Sequence, residues 1–148
     1  KDTSGLLVVA KTDAAHRGLS ELFAAHDIER RYLAFVKGRP NPPHGKVVGN
    51  IARHPVNRKK MAVSEEKGKH AITHYKTLKT YRFGDAVFAS LVQCQLETGR
   101  THQVRVHMAH IGHPLFGDPV YGRKIATPRS SGAELGEFLN TLDRKSAV

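Results

Sequence analysis

The chain has 148 residues, enough for one domain with a hydrophobic core but hardly for two. Hydrophobic residues make up 39% of it and charged residues 25%, which argues against wholesale disorder. Lys and Arg number 24 against 13 Asp and Glu, so the net charge is +11. An excess of this size attracts polyanions, and nucleic acid is therefore expected as a partner ahead of an anionic membrane surface.

The sequence shows neither a membrane span nor a signal peptide. No apolar run approaches the roughly 20 residues that span a bilayer, and residues 1–5 do not resemble a signal peptide. We therefore expect a cytoplasmic protein without a membrane partner. The single cysteine, Cys94, excludes an intramolecular disulfide and the usual structural zinc site. Its apolar neighbours predict a thiol buried in a strand, and no adjacent base favours a nucleophilic role.

The first half of the chain alternates apolar runs with turn-forming residues. Residues 6–10 are apolar throughout, which predicts a strand buried on both faces. Thr12 and Asp13 are placed to cap a helix. Four apolar residues then recur at the spacing of a core-facing helical stripe: Ala15, Leu19, Leu22 and Phe23. Strands are predicted over 31–37 and 46–51, on either side of a proline-rich loop.

The second half predicts a hairpin and two helices. Strands over 71–81 and 86–96 are joined at Gly84 and Asp85, which suit a tight turn. Thr101 is placed to cap a helix that ends at Gly112, with Val104, Met108 and Ile111 facing the core. A weaker helix is predicted over 133–142. Together these elements predict an α+β domain with flanking helices around a mixed, mainly antiparallel sheet.

Several residues are candidates for chemistry. Arg100 lies between a strand end and a helix start, where a guanidinium can hold a carboxylate or a phosphate, or can simply cap the strand. Tyr32 follows Arg30 and Arg31, and an aromatic ring among cations can stack on an unpaired base, although core packing is the commoner use.

A basic loop over 53–60 carries four cations and no acid: Arg53, Arg58, Lys59 and Lys60. Such a loop suits phosphate contacts, or it is merely a solvated surface. Beside Arg100, His102 and Arg105 are further candidate contacts to nucleic acid. His107 is expected to be a hydrogen-bonded packing residue. The spacing of His102, His107, His110 and His113 leaves a metal site as an alternative, although no acidic ligand lies nearby.

Eight segments resemble, in order, the RluA/RluD type of ribosomal large-subunit pseudouridine synthases. They are 1–12 (KDTSGLLVVAKT), 31–34 (RYLA), 53–55 (RHP), 61–63 (MAV), 70–75 (HAITHY), 96–107 (LETGRTHQVRVH), 112–114 (GHP) and 117–122 (GDPVYG). The middle segments resemble the RluD branch in particular. The resemblance implies a partial catalytic domain over 1–148, incomplete at both ends.

The same resemblance implies the chemistry. These enzymes are isomerases that convert uridine to pseudouridine in RNA, with 23S ribosomal RNA favoured and transfer RNA an alternative, and they use no cofactor or metal. An aspartate attacks the flipped-out nucleotide. Tyr32 is expected to contact the target base, and Arg100 to pair with that aspartate. The motif puts the aspartate immediately before Lys1, and Asp2 falls at a variable position. These 148 residues alone are therefore expected to be inactive, and a noncatalytic RNA-binding module is the alternative.

Overall fold

The computed structural model of the chain describes residues 3–25 and 27–122. In this part there are two helices, α1 (Asp13–Ala24) and α2 (Gln103–His110). The strands are β1 (Arg30–Lys37), β2 (His44–Arg53), β3 (Met61–Ser64), β4 (Lys69–Phe83) and β5 (Ala86–Leu96). They form one sheet in the order β1-β5-β4-β2-β3, with every pairing antiparallel. The predicted α+β class with a mainly antiparallel sheet is confirmed.

Helix α2 covers one face of this sheet. Its Met108 is fully buried among Ala34 and Val36 of β1 and Val92 and Cys94 of β5. Alternate residues of β1 and β5 reach this face because successive side chains of a strand point to opposite sides. Burial raises the pKa of the Cys94 thiol to about 12. The prediction of a buried, inert strand cysteine is therefore confirmed.

A second group of apolar side chains surrounds Val106, two residues before Met108 in α2. Val106 packs with Ile51 of β2 and Ala71 of β4. The predicted core stripe of α2 is thus only partly right. Met108 is buried as predicted and Val104 and Ile111 are half-buried, but Val106 also faces the core. A helix of eight residues lying flat on a sheet buries a wider face than the stripe suggested.

Two turns fall where the sequence predicted them. Gly84 has a φ of 56°, a left-handed conformation that glycine adopts without penalty, and it joins β4 to β5. After α2 ends at His110, Gly112 has a φ of 86° and directs the chain away from the helix.

The prediction of a strand over residues 6–10 is wrong. None of the strands in the described part pairs with this segment, and it has no regular structure. Four of its side chains are largely exposed: Leu6, Leu7, Val8 and Val9. An apolar run forms a strand only where a neighbouring strand pairs with its backbone. Among the described residues, no strand pairs with residues 6–10.

Helix α1 begins as predicted, because the Thr12 side chain accepts a hydrogen bond from the Ala15 amide at 3.2 Å. Its predicted core stripe is wrong, since none of its residues is buried and Leu22 and Phe23 are half exposed. The helix does not pack flat on the sheet. Neither α1 nor α2, the helices of the described residues, has the length and apolar character needed to cross a membrane.

Other boundaries differ from prediction. Strand β2 begins at His44 inside the predicted loop, and the four-residue β3 was not predicted at all. Thr101 is not the cap of α2, because His102 occupies that position in a left-handed conformation. The predicted helix over 133–142 lies outside the described residues.

We predict that Gly49→Ala destabilises the chain by about 2 kcal/mol, the usual cost of overpacking a core. A Cβ at Gly49 would lie 2.6 Å from Cγ1 of Val63, whose β-branched side chain has little freedom to move. Thermal or urea unfolding measures the change. As a control, Gly18→Ala in α1 meets no atom within 4 Å and should stabilise by about 0.5 kcal/mol. Equal effects at the two glycines would contradict the prediction.

Candidate functional site

Arg100 lies in the short turn between β5 and α2. Its Nε donates a hydrogen bond to the carbonyl of His70 at 3.0 Å, which ties the half-buried side chain to the beginning of β4. The residue therefore lies at the end of the sheet where β5 finishes and β4 starts. Its guanidinium keeps further donors available for an anion at this end.

Gln103, the first residue of α2, fixes the backbone of this turn. Its Oε1 accepts hydrogen bonds from the Thr98 hydroxyl at 2.8 Å and the Arg100 amide at 3.0 Å. Its Nε2 donates to the Ile72 carbonyl at 2.9 Å and to the Thr73 hydroxyl at 3.0 Å. The side chain is only 2% exposed, so these bonds replace water entirely. Gln103 thus fixes the turn that leads into α2, whose cap residue His102 makes no side-chain capping bond.

A second arginine supports the same turn from β1. Nη2 of Arg30 donates to the Glu97 carbonyl at 3.1 Å. A Cβ on Gly99 would meet Nη1 of Arg30, so a larger residue here would displace this guanidinium. The turn that carries Arg100 is therefore held between β4 and β1.

Tyr32 lies toward the end of the sheet that carries Arg100. It pairs with Cys94, and Arg30 pairs with Leu96 at the end of β5. Residues 32, 34 and 36 point to one side of the strand, so the Tyr32 side chain projects from the α2 face with Ala34 and Val36. It is 40% exposed. Tyr32 on β1 and Arg100 after β5 therefore lie toward the same end of the sheet, and their expected roles stay predictions.

Arg31 is not part of this arrangement. It follows the opposite alternation and donates to Glu29 through Nε at 2.8 Å. The same carboxylate accepts from the Gln95 amide at 3.1 Å. Its predicted contact with RNA is not tested, but the side chain lies on the other face from Tyr32.

The predicted basic loop is shaped by its own hydrogen bonds. Nη1 of Arg53 donates to the Arg58 carbonyl at 2.8 Å, and Nδ1 of His54 accepts from two backbone amides of the loop. With the backbone held in this way, Arg58 and Lys59 are exposed and Lys60 is half-buried. The loop is therefore a preformed cationic projection between β2 and β3.

His102 connects α2 to the far side of this loop. Its Nδ1 lies 2.9 Å from the Tyr121 hydroxyl oxygen, which also accepts a hydrogen bond from the Met61 amide at 2.9 Å. Met61 is the first residue of β3, directly after the loop. Burial and the nearby charge of Arg105 lower the pKa of His102, against an opposing effect of Asp118.

Arg105 holds a carboxylate. Its Nε and Nη2 each donate to Asp118 at 2.7 Å, a bidentate pair in which the acid is 3% exposed. Burial acts to raise the pKa of Asp118, but hydrogen bonds from Arg105, Tyr121 and Val120 outweigh it, so the pKa is lowered. The Arg105 guanidinium also lies 4.9 Å from the centroid of the Tyr121 ring. Its predicted RNA contact stays a prediction.

The histidines considered as metal ligands are engaged separately. His107 is fully buried with Nδ1 2.9 Å from the Thr73 hydroxyl, as expected of a packing residue. Nδ1 of His113 lies 2.9 Å from the Lys37 carbonyl, and His102 meets Tyr121. Within residues 3–25 and 27–122, no three His, Cys, Asp or Glu side chains are grouped to hold a metal ion.

Sequence reasoning missed the residues that position the others. Gln103, Asp118 and Tyr121 lay inside the quoted segments without a role, and Arg30 was noted only as a neighbour of Tyr32. One signal was available, because Asp before Pro in a Gly-rich segment predicts a turn in which the carboxylate accepts backbone amides. Nothing in the sequence indicated that Gln103 would be buried.

A family model described as RNA pseudouridylate synthase matches residues 1–110. The chain belongs to this family. The resemblance identified from the sequence is therefore confirmed.

Among the relatives of this synthase-family chain are two proteins named ribosomal large subunit pseudouridine synthase D. That of Zymomonas mobilis is 60% identical over 124 residues, which cover 83% of this chain and 37% of the relative. That of Escherichia coli K12 is 43% identical over 146 residues, which cover 99% of this chain and 43% of the relative. The chain thus spans well under half the length of these proteins.

Solved structures of the family agree with the fold. Human RNA pseudouridylate synthase domain containing 1 matches with a TM-score of 0.69 at 27% identity, covering 76% of this chain and 48% of that one. Human RNA pseudouridylate synthase domain containing 4 matches with a TM-score of 0.65 over 92% of this chain and 54% of that one. The second is 24% identical and supports the fold alone.

We predict that Gln103→Leu destabilises this synthase-family chain by about 3 kcal/mol, because it leaves several buried donors and acceptors unpaired. Gln95→Leu is the matched control, since Gln95 is exposed and has one hydrogen bond, to Glu29. It should cost about 1 kcal/mol or less. Urea unfolding measures both, and similar losses would show that the Gln103 bonds contribute little.

The buried His107 predicts a pH dependence of stability. Burial and the charge of His110 lower its pKa from 6.5 to about 4, with the Gly49 carbonyl opposing them. The unfolded chain therefore binds this proton at higher pH than the folded chain does, and acid favours unfolding. We expect the titration of His107 to leave the free energy of unfolding unchanged above pH 6.5. It should lower that free energy by about 3 kcal/mol as the pH falls to 4.

Unfolding free energies between pH 7.5 and 4 measure this loss in the parent and in His107→Gln, which lacks the titrating ring. His16→Gln on exposed α1 is the control and should keep the parent slope. A parent slope retained in His107→Gln would assign the acid sensitivity to other groups.

Proposed function

We propose that the chain forms part of an enzyme that isomerises uridine to pseudouridine in ribosomal RNA. The observation that carries this proposal is the placement of Arg100 and Tyr32 toward one end of the sheet, with the Arg100 turn fixed from both sides. A nucleophilic carboxylate and an unstacked base need such partners within one cleft.

The nucleophile itself is expected from the residue that precedes Lys1. The family resemblance places the aspartate there, and we propose that Arg100 pairs with it. A guanidinium keeps a carboxylate ionised and oriented through bidentate hydrogen bonds, which an attacking group requires. The carboxylate then attacks the nucleotide, the glycosidic bond breaks, and the uracil turns and rejoins through carbon. Because no step needs an external oxidant or reductant, the chemistry requires no cofactor.

RNA is proposed to lie along the α2 face between the basic loop and Tyr32. Arg53, Arg58, Lys59 and Lys60 supply cations for phosphate contacts at one side of this path, and His102 lies beside them. The opposite face contains an acidic groove. The groove, of about 500 Å³, is lined by the carboxylates of Asp27, Glu29 and Glu97.

The names of the relatives support large-subunit ribosomal RNA as the substrate class, with transfer RNA as the alternative. Such a substrate implies that the protein works in the cytoplasm. The second candidate function is a noncatalytic RNA-binding module, which the net charge of +11 and the loop favour. That alternative leaves the fixed position of Arg100 unexplained.

The test compares two polypeptides on transcribed large-subunit RNA: these 148 residues, and a longer one that includes the residues encoded upstream of Lys1. Pseudouridine is measured by chemical labelling. We expect the longer polypeptide to form pseudouridine and the 148 residues to form none. Arg100→Ala in the longer polypeptide should lower turnover by at least about 100-fold, as loss of an electrostatic partner does at a reacting group.

Arg82→Ala is the matched control. Arg82 also donates one guanidinium hydrogen bond at 3.0 Å to a backbone carbonyl, that of Asp85, but at the opposite end of β4. It should leave turnover unchanged. RNA binding without pseudouridine by the longer polypeptide would favour the noncatalytic module, and product from the 148 residues would refute the upstream nucleophile.

A further inference from the structure

His102 is held in a backbone conformation that histidine seldom adopts. Its φ of 58° and ψ of 22° are left-handed, and it is the one residue other than glycine with a positive φ among residues 3–25 and 27–122. Glycine or asparagine would occupy this conformation with less strain. Histidine therefore strains the backbone at this position, a cost that a functional imidazole would explain.

The ring has one nitrogen engaged and one available. The Tyr121 oxygen accepts the Met61 amide hydrogen, and its own hydroxyl hydrogen is available for Nδ1 of His102, which lies 2.9 Å away. A neutral imidazole that accepts at Nδ1 carries its hydrogen on Nε2. Nε2 makes no hydrogen bond to any described residue, and the side chain is partly exposed. In this tautomer the fold presents an N–H donor at Nε2 of His102.

The surroundings keep this donor neutral. Arg105 stacks its guanidinium 4.9 Å from the centre of the Tyr121 ring, on the group that holds His102. Asp118, the acid that acts on His102 among the described residues, is already engaged by Arg105 in a bidentate pair. Partial burial and the Arg105 charge both oppose protonation, which agrees with the lowered pKa of His102. A phosphate is better bound by the permanent cations of the adjacent loop.

We propose that His102 donates its Nε2 hydrogen to a neutral oxygen of the bound RNA, a base carbonyl or a ribose hydroxyl, and does not bind phosphate. This inference rests on the proposed function only in placing RNA on the α2 face. RNA bound in this way makes two kinds of contact with the protein. The basic loop contributes charge that acts on any RNA, and His102 contributes a directional hydrogen bond that depends on the nucleotide presented to it.

The test measures RNA affinity against salt concentration, with the longer polypeptide and a single-stranded oligoribonucleotide containing uridine. His102→Asn removes the ring but tolerates the left-handed backbone, so it should fold with an unchanged or higher melting temperature. We expect it to bind about fivefold more weakly, the usual loss for one hydrogen bond. The slope of log affinity against log salt should equal that of the parent.

Arg58→Ala provides the contrasting variant, because loss of one phosphate contact should reduce that slope by about 0.7. Tyr121→Phe removes the hydroxyl that fixes the tautomer, and it should weaken binding with the parent slope. A slope reduced by about 0.7 in His102→Asn would show that a protonated His102 neutralises a phosphate. Unchanged affinity in His102→Asn would show no contact, and either result overturns the proposal.

The assay also separates this inference from the proposed function. Pseudouridine formed by the parent supports the enzyme whatever His102→Asn does. RNA bound without product still reports the nature of the His102 contact. A parent that binds no RNA would overturn both proposals.

Discussion

The hydrogen bonds of the Gln103 side chain are the constraint on which the site depends. This one buried amide joins the end of β5, the start of α2 and the middle of β4 by donating two hydrogen bonds and accepting two. All are made away from water, where an unpaired partner would be costly. Thr73 extends the connection to His107, so the first and second turns of α2 are tied to the same strand. Arg100 owes its fixed backbone to this arrangement.

The cationic residues of the chain serve two different purposes. Arg30 and Arg105 are used inside the protein, where one supports the turn before Arg100 and the other orders the segment of Asp118 and Tyr121. In the basic loop, Arg53 donates to the Arg58 carbonyl, and the side chains of Arg58 and Lys59 are exposed. Net charge alone does not separate these roles. Only the position of each guanidinium relative to a buried acceptor does so.

Much of the architecture was predictable from the sequence because it follows local rules. The β4–β5 hairpin, the cap of α1 at Thr12 and the end of α2 depend on glycines, hydroxyls and alternation within a few residues. The failures have a different origin. Residues 6–10 and the apolar side of α1 were assigned from hydrophobicity, which indicates that a segment can be buried but not what would cover it.

The sequence predicted which residues are candidates for the site but not the hydrogen bonds that position them. The family motifs identified Tyr32 and Arg100, and the sheet register brings them to one end of the fold. The roles of Gln103, Asp118 and Tyr121 depend on contacts between residues 13 to 60 positions apart. No periodicity records such contacts. The left-handed conformation of His102 was equally hidden, because nothing about a histidine in sequence distinguishes a strained backbone from an ordinary one.

The strand order has a consequence for the order in which the chain folds. Strands β4 and β5 are joined by a two-residue turn and can pair locally, whereas β1 must find β5 across most of the domain. Pairing across a long loop is slow because its entropy is lost before the contacts form. Tyr32 enters with β1, while Arg100 follows β5. Tyr32 and Arg100 are therefore brought to the same end of the sheet only when β1 pairs with β5.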